Sequence, residues 1–288
     1  MGAASDLMFG LTTAFGYGTG DFIARGATHR IGYLRVLFFL EVFGALILLP
    51  LAFVFERPRW GGSDPWAVLV LLGSINFVAS LFLYRSFEFG VLSVVSPLAS
   101  SYPAITAVLA FTFLGEQPGG LPTAGIACIL LGIVLMSRSG AHPETPPPRD
   151  ARVGFVSAIG AFIAYGVFFF ALDFVVDPIG PVTSAFVVRG VGAAILLAAG
   201  TRRRGLFDRP PRNLWASLAA IVLLDEVAFI AFNVGIIEGS VAIVSTLSGL
   251  FSAVTVGLAA GILRERLTRI QWGALGSIFA GVALIAVG

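Results

Sequence analysis

The sequence has no lysine, one cysteine, two histidines and only 12% charged residues in 288. Soluble domains carry about 25% charged residues. This chain has half that share, too few to cover a globule with solvated side chains. Its net charge of +2 rests on arginine alone and gives no support to nucleic-acid binding. The single Cys128 lies in an apolar run, so no disulfide framework and no zinc spacing can be written. His29 and His142 fall between hydrophobic segments, and no metal or cofactor site is expected. G-x-S-x-G, H-E-x-x-H and phosphate-loop patterns are absent, which speaks against the common hydrolases and against an ATP site.

What fills the chain instead is apolar: 57% hydrophobic residues and a mean hydropathy of +0.95. At about 20 residues per crossing, little remains outside the bilayer. Apolar runs bounded by Gly, Pro and Arg predict ten transmembrane helices at 5–24, 31–54, 65–87, 91–114, 119–137, 153–173, 180–200, 214–236, 239–263 and 268–287. The first run lacks a basic flank and a small-residue cleavage site, and reads as a mature helix. The longest connection, 139–152, holds Pro146, Pro147 and Pro148 and reads as a linker between two five-helix units, 1–138 and 153–288.

Those units should then resemble each other, and they do. Laid over 242–286 at an offset of 149, residues 93–137 match at twelve of 45 positions, among them Ser96/Ser245, Thr106/Thr255 and Glu116/Glu265. At an offset of 148, residues 31–52 match 179–200 at eight of 22, including Gly44/Gly192, and Tyr17-Gly18 falls on Tyr165-Gly166. An odd number of helices per repeat makes the second unit enter the membrane from the opposite side. The expected architecture is all-α, ten helices in two inverted repeats about an in-plane pseudo-twofold, with a site at the midplane.

Ionisable residues inside a membrane are costly and mark function by default. Glu41, Arg189, Asp225 and Glu226 lie near helix midpoints, and the offsets pair Glu41 with Arg189 and Asn76 with Asp225. The functional reading has Arg189 held by one carboxylate while another stays available to a substrate ammonium or a coupling proton. Adjacent in sequence, Asp225 and Glu226 project about 100° apart and are expected not to face one point. The alternative is a structural ion pair locking the second and third helices.

Hydroxyls recur at helical spacing in Ser93, Ser96 and Ser100, and in Ser245, Ser248, Ser252 and Thr255. These stripes should face the interior, lining a wet path or allowing close packing. Pro97 and Pro103 interrupt the fourth helix and are candidate hinges. Gly16/Gly20 and Gly257/Gly261 have the spacing of close intramolecular packing; a monomer is expected, with a homodimer as the alternative. Glu116 and Glu265 end equivalent helices and read as caps, or as local partners of Arg264, Arg266 or Arg269. Gly18-Thr19-Gly20-Asp21 matches the G-x-G-D of intramembrane aspartyl proteases, whose second Asp sits on an earlier helix that has no counterpart here.

Tyr17-Gly18-Thr19-Gly20-Asp21-Phe22, the weaker Tyr165-Gly166, and the corners Leu114-Gly115-Glu116 and Leu263-Arg264-Glu265 ahead of Gly-rich last helices resemble the drug/metabolite transporter superfamily, of the EamA-like kind. The resemblance spans the chain. It implies a secondary transporter, not an enzyme, that exports or exchanges small metabolites, amino acids, organic cations or drugs across an inner membrane. The family often has a basic residue in the second helix of each half; Arg189 keeps it and Glu41 replaces it. The remaining classes are an intramembrane enzyme or flippase-like lipid handler, and a non-transporting scaffold or sensor. Two orientation rules oppose each other. One side holds only Arg57 and Arg59 and the other 15 arginines, so the positive-inside rule places the termini outside. The resemblance places them in the cytoplasm.

Overall fold

The structure is a computed structural model that describes residues 3–56, 64–90, 92–116, 118–138, 150–200, 205–262 and 268–287. Their regular structure is all helix, with no strand among the described residues. In chain order the helices are α1 (Ala3–Ile31), α2 (Tyr33–Phe55), α3 (Asp64–Phe89), α4 (Leu92–Ala99), α5 (Pro103–Leu109, continued by a π turn Ala110–Leu114), α6 (Gly120–Arg138), α7 (Ala151–Ile179), α8 (Pro181–Gly200), α9 (Trp215–Glu238), α10 (Val241–Ser248), α11 (Phe251–Ile262) and α12 (Arg269–Val287). Among the described residues, five helices are long and apolar enough to cross a bilayer: Tyr33–Phe55, Pro65–Phe89, Ala151–Ile179, Pro181–Gly200 and Arg212–Glu238. Shorter apolar helices accompany them. Phe53, Phe55, Leu71, Phe113, Trp272 and Phe279 stay more than half exposed, an apolar surface that only lipid would solvate. The chain is a multi-pass membrane protein.

Two expected helices are each two helices. The fourth breaks at Ser100–Tyr102, where Pro103 opens α5 at its first position and so needs no backbone partner. Pro97 lies within α4, so it does not mark the break. The ninth breaks at Gly249-Leu250 with no proline. The first helix also outruns its expected end at residue 24 and continues to Ile31.

The α1–α2 and α7–α8 turns are made alike. Gly32 and Gly180, equivalent positions, take φ of 83° and 103°, a region only glycine enters freely. The helix starts that follow are closed by different carboxylates. Glu88 accepts from the Tyr33 N–H at 2.8 Å. Glu56 accepts from Val182 and Thr183, each at 2.7 Å. Negative charge at a helix N-terminus satisfies orphan donors and the helix dipole.

The two halves interlock rather than sit side by side. α1 packs on α9 and α7 on α3, so the first helix of each half lies on the third of the other. α2 packs on α8, and α6 on α12. Equivalent helices run antiparallel: an added Cβ at Gly125 would meet Gly281 and Ile285, and one at Gly132 would meet Ala274 and Ile278. Gly44 likewise lies opposite Arg189, and Gly192 opposite Glu41.

Residues that touch their own equivalents mark where a twofold would pass. Glu41 reaches Arg189. Ser277 Oγ donates to the Cys128 carbonyl at 2.7 Å. The Ser100 carbonyl lies against Gly249, so the two broken helices cross at their breaks.

Candidate functional site

The Tyr-Gly signature is an axis-side packing device. Gly18 lets α11 approach so closely that an added Cβ would strike Phe251 and Val254, and Gly166 does the same for Ile105. At that range Thr255 Oγ1 donates to the Gly18 carbonyl at 3.0 Å, and Thr106 Oγ1 to the Gly166 carbonyl at 3.1 Å. The tyrosine before each glycine is thereby fixed at the wall of a central cavity.

Equivalent positions from the two halves line that cavity: Tyr17 and Tyr165, Asp21 and Phe169, Asn76 and Asp225, Tyr102 and Phe251. Four of the chain's five tyrosines are there, Tyr84 being the fourth. Helical spacing explains the grouping. Tyr17 and Asp21, Asn76 and Ser80, and Tyr165 and Phe169 are i, i+4 pairs that each share one helix face. Tyr165 and Ser80 hydroxyls bond at 2.9 Å, and Tyr102 bonds Ser248 at 2.5 Å. Tyr102 stacks on Phe169 with ring centroids 4.8 Å apart. The free volume is about 40 Å³, room for roughly three waters. A solute would need the walls to part.

Arg189 closes one side of the cavity. Its Nε donates to Glu226 Oε1 at 2.8 Å, its Nη2 to Asp225 Oδ2, and its Nη1 lies 3.7 Å from Glu41 Oε1. Its guanidinium carbon sits 5.3 Å from the centre of the Phe229 ring. Two expectations are corrected here. Arg189 meets three carboxylates rather than one, and Asp225 and Glu226 do converge. The guanidinium is a wide planar fork, so one edge takes Asp225 while Nε takes Glu226, across the 100° that separates them. Two glycines make room: an added Cβ at Gly44 would overlap the Glu226 carboxyl, and one at Gly192 would lie 2.5 Å from that of Glu41. Glu41, Arg189 and Glu226 are buried, with Glu41 fully so. The carboxylate left available is Asp21, which is 7% exposed. It lines the cavity and has no hydrogen bond or ion pair among the described residues. Ending α1 at residue 24 had put it near a helix end, while its i, i+4 spacing from Tyr17 was there to be read.

The serines are buried but stand back from the cavity. Ser245 donates to the Ala242 carbonyl. Ser248 holds Tyr102. Ser96 and Ser252 hydroxyls have no partner among the described residues. Ser100 lies at the crossing of the breaks. Gly16 packs tightly on Ala228 of α9, as expected. Gly257 and Gly261 are exposed, and among the described residues nothing lies within 4 Å of a Cβ added at either, so the expected close packing is not seen there. Glu116 reaches across to the other half, accepting from Ser240 Oγ and the Val241 and Ala242 N–H groups at 2.8–3.0 Å. Glu265, Arg264 and Arg266, the side chains of Ser93 and Pro97, and residues 139–149 of the expected linker lie outside the described residues.

Comparison with known proteins agrees with this plan. The sequence pattern of the EamA-like transporter family matches twice, over residues 5–138 and 152–287. An uncharacterized protein of Methanocaldococcus jannaschii is 27% identical over 133 residues, 46% of this chain and 96% of that protein, which is thus about one repeat long. A protein of known crystal structure, 18% identical, superposes with a TM-score of 0.72 over 98% of this chain and 96% of its own. Matched over nearly its whole length, the chain belongs to the EamA-like transporter family, within the drug/metabolite transporter superfamily.

Proposed function

We propose that the protein is a secondary transporter of the inner membrane, exporting or exchanging small metabolites, amino acids, organic cations or drugs by alternating access. In this reading the chain makes ten spans in two inverted units, 1–138 and 153–288, joined by 139–152, with α4–α5 and α10–α11 each counting as one broken span. Discontinuous helices crossing at mid-membrane are a common setting for transport sites. The observation that carries the reading is the coincidence of three features at one place: repeat equivalents in contact, a small cavity with polar side chains in its wall, and the Arg189 cluster.

Charge arithmetic supports ion coupling. Glu41, Asp225 and Glu226 surround one guanidinium, and Asp21 faces the same cavity. Four acids against one base form an excess that a dry interior does not hold without compensation. Protons taken up or released as the cavity opens would supply it. The breaks, bounded by Pro103 and Gly249, are the places where the two sides would pivot, with Ser96, Ser100, Ser245, Ser248 and Ser252 forming the sliding faces.

Solute flux into proteoliposomes, with and without an imposed pH gradient, tests this. Asp225→Asn and Glu226→Gln should each lower flux at least ten-fold while the purified protein keeps its yield and melting temperature. Wild-type flux in both variants would remove the cluster from the pathway.

A further inference from the structure

The balance of charge in the cavity, together with its unbonded acceptors, identifies what it takes. Arg189 is the cation nearest the cavity, but all three of its nitrogens already face carboxylates. A substrate carboxylate could reach the N–H groups left on Arg189 only by adding a fourth negative charge around one guanidinium. The charged group that the cavity leaves unspent is an acceptor. Asp21 is 93% buried with no hydrogen bond or ion pair among the described residues, and Asn76 Oδ1 is buried and unbonded among them. The stacked rings of Tyr102 and Phe169 line the same cavity and give it an aromatic wall.

Resting on the transporter reading, we propose that the substrate is an organic ammonium ion lacking a carboxylate, held by Asp21 and Asn76 with its carbon skeleton against the Tyr102–Phe169 stack. Asp21 gives the charge partner. Asn76, where the other half has Asp225, gives a neutral acceptor that adds direction without a second repulsive charge. The ring faces favour a cation and its apolar body together. A zwitterionic amino acid fits badly, because its carboxylate would lie beside Asp21 and Asp225, and the donors left to it belong to a guanidinium already faced by three carboxylates and to the neutral hydroxyls of Tyr17 and Tyr84. The cavity must widen to admit any such solute, and Tyr102 sits in the α4–α5 break where that widening would begin.

The test uses the purified full-length chain and two probes that differ by one carboxylate, 2-phenylethylamine and L-phenylalanine. Equilibrium binding should favour the amine at least ten-fold. Asp21→Asn should weaken amine binding roughly ten- to hundred-fold, the scale of a lost charged hydrogen bond, with an unchanged melting temperature. Asp21→Glu should recover part of it. Equal binding of the two probes, amine binding indifferent to Asp21→Asn, or no saturable amine binding would each overturn the proposal. Vesicle flux is read separately. Amine binding that depends on Asp21 but drives no flux would leave this inference standing and remove the transporter reading. Flux of another solute untouched by Asp21→Asn would do the reverse.

Discussion

The two halves share their scaffold and differ in their chemistry. Glycine and threonine do the same work twice: Gly32 and Gly180 turn the chain, Gly44 and Gly192 admit a carboxyl, and Thr106 and Thr255 clasp Gly166 and Gly18. The polar residues carried on that scaffold do not repeat. Glu41 stands opposite Arg189, Asn76 opposite Asp225, and Asp21 opposite Phe169. Backbone approach is a matter of geometry, and a twofold arrangement needs the same geometry on both sides. A single cavity on that axis needs only one copy of each chemical group, so duplication leaves the second copy free to diverge.

The largest separation between the halves should come at the axis pair. Arg189→Ala strands Glu41, Asp225 and Glu226 without a cation, a change that typically costs about 3–5 kcal/mol. Glu41→Gln removes only the longest of the three contacts and relieves surplus negative charge. In detergent, Arg189→Ala should lose most of its folded yield, and Glu41→Gln should melt near wild type. Equal melting shifts would mean that the asymmetry has no energetic content.

Next come the glycines behind those carboxyls. Gly44→Ala and Gly192→Ala each overpack a tight contact, at about 1–3 kcal/mol. Their stability losses should be similar and their flux losses unequal. Gly44→Ala displaces Glu226 from its 2.8 Å bond to Arg189, whereas Gly192→Ala disturbs Glu41, 3.7 Å away. Melting temperature and proteoliposome flux, measured on the same preparations, separate the two effects.

Much of this plan was legible in the sequence because hydropathy and repetition are long-range signals. Apolar segments, the repeat offset and the pairing of Glu41 with Arg189 could be read from it. The breaks were harder. Pro103 marks one, but Gly249 has ordinary helical dihedrals, and what distinguishes its position is tertiary: a Cβ there would strike the Pro103 ring and crowd the Ser100 carbonyl of the other half. Asp225 and Glu226 were misjudged because helical periodicity places Cβ atoms, and a guanidinium spans more angle than a point. Asp21 stands in the sequence three residues before the expected end of the first span and within a short signature, and neither places it at a cavity; α1 runs on as helix to Ile31, which sets Asp21 well inside it.

A smaller contrast lies at the two glycine turns. Gly32→Ala and Gly180→Ala each place a Cβ at positive φ, at about 1 kcal/mol. Gly180 is also crowded by the Glu56 carboxyl that closes α8, while the nearest atom to an added Cβ at Gly32 is 3.9 Å away. Gly180→Ala should therefore show the greater drop in melting temperature. Matching drops would mean that the Glu56 contact yields without cost.

The smallest effect is the one in which the halves should agree. Thr106→Val and Thr255→Val keep side-chain volume and remove one hydroxyl each. Each hydroxyl has a second acceptor in its own helix, the Tyr102 carbonyl at 3.4 Å and the Phe251 carbonyl at 2.9 Å. What is lost across the interface is one hydrogen bond to a glycine carbonyl, and such bonds between membrane helices average about 0.6 kcal/mol. Those carbonyls belong to α1 and α7, where they already accept along the helix, so no buried acceptor is orphaned. The single variants should melt within about a degree of each other, and the double variant should shift by their sum, since each clasp joins the halves at its own place and the two share no partner. A double-variant shift well beyond the sum would show that the clasps act as one unit across the axis, and the two halves would then be coupled in their scaffold as well as in their shared cavity.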